Sequence, residues 1–243
     1  MNLIVEQGNT ATKIAVFDQG KMVFCAVYKD FSKSDLVDVL NQFPLRNGIL
    51  SAVIETKKEL IDCLNSRLKC FFIFEEGMRL PIDIRYQTPE TLGKDRIAAA
   101  VGAIFLQPGK DILVIDAGTA VTYEVVTAAG IYLGGNISPG MTTRFRALNR
   151  YTQQLPLVNK KEEVPLIGSS TETAILAGVV NGMVYEMDGF IDELRKKYPE
   201  IYVFLTGGHS IYFEKRLKNT IFAVLNLVLI GLNRVLEYNV ERQ

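Results

Sequence analysis

The chain has 243 residues, with 27 basic and 27 acidic side chains in balance, three cysteines and one histidine. Its length suits two small domains or one large one with ample core. The absence of a basic surplus excludes a nucleic-acid or anionic-membrane binder, and one histidine leaves no material for a multi-histidine metal site.

Residues 3–16 read as two strands joined by a tight turn, Leu3-Ile4-Val5-Glu6-Gln7-Gly8-Asn9-Thr10-Ala11-Thr12-Lys13-Ile14-Ala15-Val16. The first apolar run meets Glu6 within a few residues, so no signal peptide is expected. Residues 21–28 alternate as a third strand, and residues 34–43 have helical spacing with Ser32 or Ser34 as N-cap. A strand at 48–54, an amphipathic helix at 57–68 and a strand at 70–74 follow, an α/β layout with mixed strand directions. Cys25, Cys63 and Cys70 are odd in number and lack metal-ligand spacing, so they read as reduced thiols of a cytosolic, cytoplasmic protein. A short extended piece ends at Tyr86. Thr91-Leu92-Gly93-Lys94-Asp95-Arg96 then leads into a helix over 97–105 with small residues on one side.

A second hairpin occupies residues 111–126. Its strand Ile112-Leu113-Val114-Ile115 runs into Asp116-Ala117-Gly118-Thr119, and a β-rich run follows at once. Laid over the first hairpin, Gly118 falls on Gly8, Asp116 on Glu6, Thr119 on Asn9 and Tyr123 on Lys13. Two such hairpins, each opening about half of the chain, predict a duplicated domain, with boundaries at 1–107 and 108–243 and a hinge near 105–110. Beyond them a strand is expected near 131–133, a turn-rich crossing at 134–140, a short helix at 144–151 and an irregular connection at 155–167. A long helix is predicted over 170–197, a strand over 201–205 stopping at Thr206-Gly207-Gly208-His209, and helices from Tyr212 and from Phe222 to Tyr238. The apolar run 221–232 is too short to span a bilayer and holds Asn226, so it reads as a buried helix.

Each acid-x-Gly turn can bring main-chain N–H groups close to a bulky anion, and its hydroxyls can donate to phosphate oxygens. The flanking carboxylate would repel phosphate directly and so works through a cation or water. Asp95 sits at a helix start, where backbone donors favour an anion, and Arg96 offers a planar fork for a substrate carboxylate. Together they could take a hydroxy acid, the arginine its carboxylate and the aspartate its hydroxyl. No G-x-x-x-x-G-K-[ST] loop, G-x-G-x-x-G fingerprint or kinase H-R-D and D-F-G signature is present. Gly207-Gly208 could let a flat adenine lie against backbone.

In this order, Glu6-x-Gly8-Asn9-Thr10, Tyr86-x-x-Pro89-x-x-Leu92-Gly93-x-Asp95-Arg96, Asp116-x-Gly118-Thr119-Ala120-x-Thr122, Gly134-Gly135-x-Ile137-x-Pro139-Gly140 and Gly207-Gly208 resemble the type III pantothenate kinases. The resemblance implies duplicated ribonuclease-H-like domains of the actin and sugar-kinase superfamily, with mixed sheets and a cleft between them. It also implies a homodimer with the active site near the dimer interface, and ATP-dependent phosphorylation of pantothenate, the first step of coenzyme A synthesis. Carried over residue by residue, Glu6, Gln7, Gly8, Asn9, Thr10, Ala11, Thr12 and Lys13 would form the first phosphate loop and Thr119 would contact ATP. Asp116 would hold a monovalent cation, potassium or ammonium, while Mg2+ accompanies the nucleotide. Asp95 would accept the substrate hydroxyl proton, Gly93, Lys94 and Arg96 would shape the pantothenate pocket, and Tyr86 and Thr171 would add substrate contacts. One position departs from the family pattern, where the first motif starts with aspartate. Glu6 moves the carboxylate by about 1.5 Å, which leaves open a catalytically weakened nucleotide- or pantothenate-binding regulator; a kinase of the same superfamily for another small hydroxylated substrate is a separate alternative.

Overall fold

The computed structural model describes residues 1–242. The chain begins β1 (Asn2–Gln7), β2 (Thr12–Asp18), β3 (Lys21–Tyr28), α1 (Lys33–Gln42), β4 (Asn47–Ala52), α2 (Lys58–Arg67), β5 (Cys70–Ile73) and β6 (Asp83–Ile84). A 3-10 turn at Pro89–Thr91 precedes α3 (Lys94–Leu106), β7 (Ile112–Ala117), β8 (Ala120–Val126) and β9 (Ile131–Pro139). Then come α4 (Met141–Tyr151), α5 (Thr171–Lys197), β10 (Tyr202–Thr206), α6 (Ser210–Glu214), β11 (Phe222–Ala223) and α7 (Leu227–Val240). Two compact units result. One comprises Met1–Pro108, Gly130–Tyr132 and the chain from Leu227 onward; the other comprises Gly109–Ala129 and Leu133–Asn226.

The first unit's sheet runs β3-β2-β1-β4-β5, with β1 antiparallel to β2 and parallel to β4. Strand alternation sends Leu3 and Val5 to one face, where they join Leu36, Val39, Leu60 and Leu64 of α1 and α2 in a buried cluster. Helix α1 starts where the sequence signals it: Ser32 caps it and Asp35 completes the reciprocal bond in a capping box. Helices α3 and α7 make this unit's closest helix pair. Alanines 98, 99, 100 and 103 and Gly102 leave α3 a small-residue face, and a Cβ at Gly231 of α7 would collide with the Ala98 carbonyl. A Cβ at Gly102 would stand 2.5 Å from the Leu227 carbonyl oxygen.

The second unit repeats the pattern. Counted within themselves, its strands β9-β8-β7-β10-β11 stand third, second, first, fourth and fifth, as in the first sheet. Short β6 pairs with Ile131 and Tyr132, the residues of β9 that belong to the first unit. Long α5 carries the core, burying Leu176, Val180, Met183, Met187 and Ile191 against Leu113, Ile115 and Leu205. By length and composition α5 could cross a membrane, yet 56% of its most apolar window is buried here. Its carboxylate Asp188 is buried too, and accepts N–H bonds from Lys218 and Asn219 at 3.1 Å each.

Two expectations from the sequence are corrected. The crossing at 134–140 is strand as far as Pro139, because Gly135 lets β9 approach the Tyr123 carbonyl where any side chain would collide. Phe222 does not start a helix. It pairs with β10 and stacks on Tyr202 with ring centroids 4.1 Å apart, and α7 begins only at Leu227. A short apolar run does not distinguish strand from helix by periodicity.

Gly231→Ala is expected to lower unfolding free energy by about 1–3 kcal/mol, as overpacking does. Gly189→Ala, on the open face of α5 with no atom within 4 Å of a Cβ, should raise it by roughly 0.5–1 kcal/mol. Urea unfolding midpoints of the two variants check both signs.

Candidate active site

Strand register builds the first turn. Glu6 stands opposite Lys13 and Gln7 opposite Thr12, and the Gly8 N–H donates to the Ala11 carbonyl at 3.0 Å to close the bend. Because successive side chains alternate, Glu6 and Lys13 share one face, where ammonium and carboxylate lie 3.2 Å apart. Gln7 and Thr12 are buried on the other, and Gln7 Oε1 accepts the Thr56 hydroxyl at 2.6 Å. Asn9 and Thr10 form the exposed tip. Of the polar residues expected at an ATP loop, Glu6, Asn9, Thr10 and Lys13 therefore line the outside, whereas the side chains of Gln7 and Thr12 serve the interior.

At the entry to α3, Gly93 takes the N-cap position and Asp95 lies in the first turn. The Arg96 N–H donates to Asp95 Oδ1 at 2.8 Å, and the helix terminus favours that negative charge. A Cβ at Gly93 would stand 2.6 Å from the same oxygen, so a larger residue there would push the carboxylate aside. Arg96 is buried, with its guanidinium carbon 5.8 Å from the Tyr86 ring centroid; Tyr86 meets Tyr132 edge-on at 6.2 Å. The fold thus assembles Tyr86, Gly93, Asp95 and Arg96, with half-buried Lys94 beside them.

The second turn is one residue shorter. Asp116 stands opposite Thr122 and Ala117 opposite Val121, and the Gly118 N–H donates to the Ala120 carbonyl at 2.9 Å. The overlay of the two hairpins consequently holds to the glycine and fails beyond it: register pairs Thr122, not Tyr123, with the acid. Tyr123 turns into the core against Phe190 and donates to Glu186 at 2.8 Å. Burial, and then that carboxylate, push the Tyr123 hydroxyl's pKa far above the usual phenol range. Glu186 also pairs with Arg144, which donates onward to the Ser138 hydroxyl and the Pro139 carbonyl.

Two segments hold this turn by main chain. The Gly140 N–H and the Thr143 hydroxyl both donate to the Thr119 carbonyl, at 3.0 and 2.8 Å. From another direction the His209 N–H donates to the Ala117 carbonyl at 3.0 Å, and Gly207, at φ +93°, lies so close that a Cβ would collide with Asp116 Oδ1. Thr119 itself is exposed. Sequence reasoning passed over Thr143 and Arg144; the available signal was a helix N-terminus directly after Ser138-Pro139-Gly140, a place that favours anions.

Thr171 is not a helix cap. Ser170 caps α5 with Thr173 in a reciprocal pair, and Thr171 follows as the first helical residue. It lines a cavity of about 720 Å³ together with Arg144, Leu148, Leu155, Ile175 and Val179. Among the described residues no three histidine, cysteine, aspartate or glutamate side chains come together as a metal centre; Glu6 and Asp116 each stand at a turn's mouth.

The His209 imidazole is held below its ordinary pKa of 6.5, first by burial and second by the Lys160 charge, against the opposing pull of the Ala117 and Gly118 carbonyls. The unfolded chain therefore takes up this proton first as pH falls, so stability is lost from about pH 6.5 downward until the depressed folded value is passed. His209→Gln should flatten the fall in thermal midpoint between about pH 7.5 and pH 5.5, measured against the unsubstituted chain by calorimetry.

Residues 2–193 match the family model of the type III pantothenate kinases. A type III pantothenate kinase of Phocaeicola vulgatus is 50% identical over 241 residues, covering 98% of this chain and 99% of its own. One of Bacteroides fragilis is 47% identical over 239 residues, 98% of each chain. A solved structure from Sinorhizobium meliloti, provisionally described as a 2-dehydro-3-deoxygalactonokinase, superposes with a TM-score of 0.61 over 98% of this chain and 99% of that one, at 13% identity. That likeness speaks for the fold alone: duplicated ribonuclease-H-like domains of the actin and sugar-kinase type, in keeping with the repeated strand order. From the match over most of its length and the identity to its relatives, the chain belongs to the type III pantothenate kinase family.

Proposed function

We propose that the chain transfers the terminal phosphoryl group of ATP to the primary hydroxyl of pantothenate, giving 4'-phosphopantothenate in the first step of coenzyme A synthesis. The observation that carries this reading is the helix entry of α3: Asp95 fixed over Gly93 by the Arg96 N–H, beside the Tyr86–Arg96 pair, in a chain of this family.

In-line transfer to an alcohol demands mainly positioning and charge neutralisation. Asp95 accepts the hydroxyl proton as the oxygen–phosphorus bond forms. Tyr86, Gly93, Lys94 and Arg96 shape the pocket that aims the hydroxyl. The exposed N–H groups and side chains of Asn9 and Thr10, the Lys13 ammonium, and the Thr119 hydroxyl donate to phosphate oxygens, with Gly8 and Ala11 closing the bend behind them. Magnesium arrives as part of the nucleotide substrate, consistent with turns that offer single carboxylates rather than an acidic cage. Asp116 holds a monovalent cation, potassium or ammonium. The enzyme acts in the cytoplasm as a homodimer, with Thr171 contributing across the interface.

Asp95→Asn preserves the acceptor for the Arg96 N–H and is expected to lower kcat at least about a hundredfold, with ATP binding retained. A coupled ADP-release assay with pantothenate checks it, and near-normal turnover would remove Asp95 from the reaction. In the same assay, replacing potassium by sodium should raise the KM for ATP. Equal rates in the two salts would argue against a cation at Asp116.

A further inference from the structure

Helix α4 begins without the usual means of holding a helix start. Its N-cap, Gly140, offers no side chain, and Pro139 before it brings no N–H. Arg144 stands fourth in the helix, where the partial positive charge of the terminus disfavours a cation. Yet this start carries the two donors, the Gly140 N–H and the Thr143 hydroxyl, that hold the Thr119 carbonyl of the second turn. Something else must fix it, and the guanidinium does. Its Nε donates to the Pro139 carbonyl at 2.7 Å and Nη2 to the Ser138 hydroxyl at 2.8 Å. The last residues of β9 are thereby tied to the first turn of α4.

Glu186 is what offsets a cation in that place. One of its oxygens accepts from Arg144 Nη2 at 2.5 Å, and the other from the Tyr123 hydroxyl at 2.8 Å. Glu186 lies on α5 between the buried Met183 and Met187, so its backbone belongs to the core of the second unit. Tyr123 is buried on β8, the strand that leaves the second turn. A single carboxylate thus touches both segments that frame Thr119. It reaches the strand after the turn through Tyr123, and the helix head that grips the Thr119 carbonyl through Arg144. With side chains 21% and 23% exposed, the ion pair is withdrawn from water far enough for its charges to be felt.

We infer that Glu186 is a positioning residue for the nucleotide: acting through Arg144, it sets the corner from Ser138 to Thr143 and with it the Thr119 side of the second turn. It touches no phosphate itself. The inference rests on the reading of the chain as an ATP-dependent kinase with Thr119 at the nucleotide. Removing the negative charge leaves the guanidinium uncompensated beside a positive helix terminus, and the fork turns from Ser138 and Pro139 toward water. The second turn then loses its backing, and the cost appears in the use of ATP.

Steady-state kinetics of the full chain with ATP varied at saturating pantothenate test this on Glu186→Gln, Arg144→Met, the double variant and Tyr123→Phe. Glu186→Gln and Arg144→Met should each raise the KM for ATP about fivefold while kcat stays within about twofold. A purely structural part would instead lower the folded fraction, and so the apparent kcat, with KM unmoved. The double variant should raise KM no further than Arg144→Met alone, because Glu186 acts through the guanidinium. Should either charge variant fail to fold, Tyr123→Phe, which removes only a hydroxyl, decides: it should raise the KM for ATP about twofold at unchanged kcat. An unchanged KM, a fall in kcat alone, or a further rise in the double variant overturns the inference and leaves the kinase reading intact. Absence of pantothenate-dependent ADP release from the unsubstituted chain overturns that reading, and the inference with it.

Discussion

Main chain touches main chain around the second turn, and that close approach holds it in place. Gly140 and Gly207 approach the turn so closely that a single methyl group at either would strike a backbone carbonyl or the Asp116 carboxylate. Glycine is required there for space, and at Gly207 for its left-handed backbone as well. The Thr119 carbonyl takes two donors, and the residue itself is exposed. The first turn is built on another principle. It is one residue longer, and its mouth is held by an ion pair between side chains. Both turns are closed by a backbone bond from the glycine N–H, and only the first carries an ion pair across its mouth among the described residues.

The acid at the head of α3 is likewise placed by its neighbours. Gly93 and the Arg96 N–H fix the Asp95 carboxylate from two sides. Arg96, read from sequence as a planar fork suited to a substrate carboxylate, is buried, with its guanidinium carbon 5.8 Å from the Tyr86 ring centroid.

Much of this was legible in the residues. Alternating apolar positions marked the hairpins, Ser32 marked the start of α1, and Gly-x-Asp-Arg before a small-residue helix marked the head of α3. Register was not legible. Turn length, not motif, decides which residue faces the acid, so the overlay that put Tyr123 on Lys13 slipped by one place and missed that Tyr123 belongs to the core. Gly134-Gly135 looked like a break because glycine is uncommon in strands. Gly135 is instead where β9 lies against the Tyr123 carbonyl. The main-chain contacts of Gly207 and His209 with the second turn are separated from it by some ninety residues of sequence, and no local pattern reports them.

Helix α3 is seated against α7 through Gly102 and Gly231, backbone to backbone. The helix that presents Asp95 therefore has its lengthwise position set by residues more than a hundred places further along. As the polypeptide leaves the ribosome, the amino-terminal sheet can assemble early, but the bed on which α3 rests does not exist until residues 227–240 have been translated. A piece severed at residue 108 would carry α3 without the helix it packs against, since the chain from Leu227 onward belongs to the same unit.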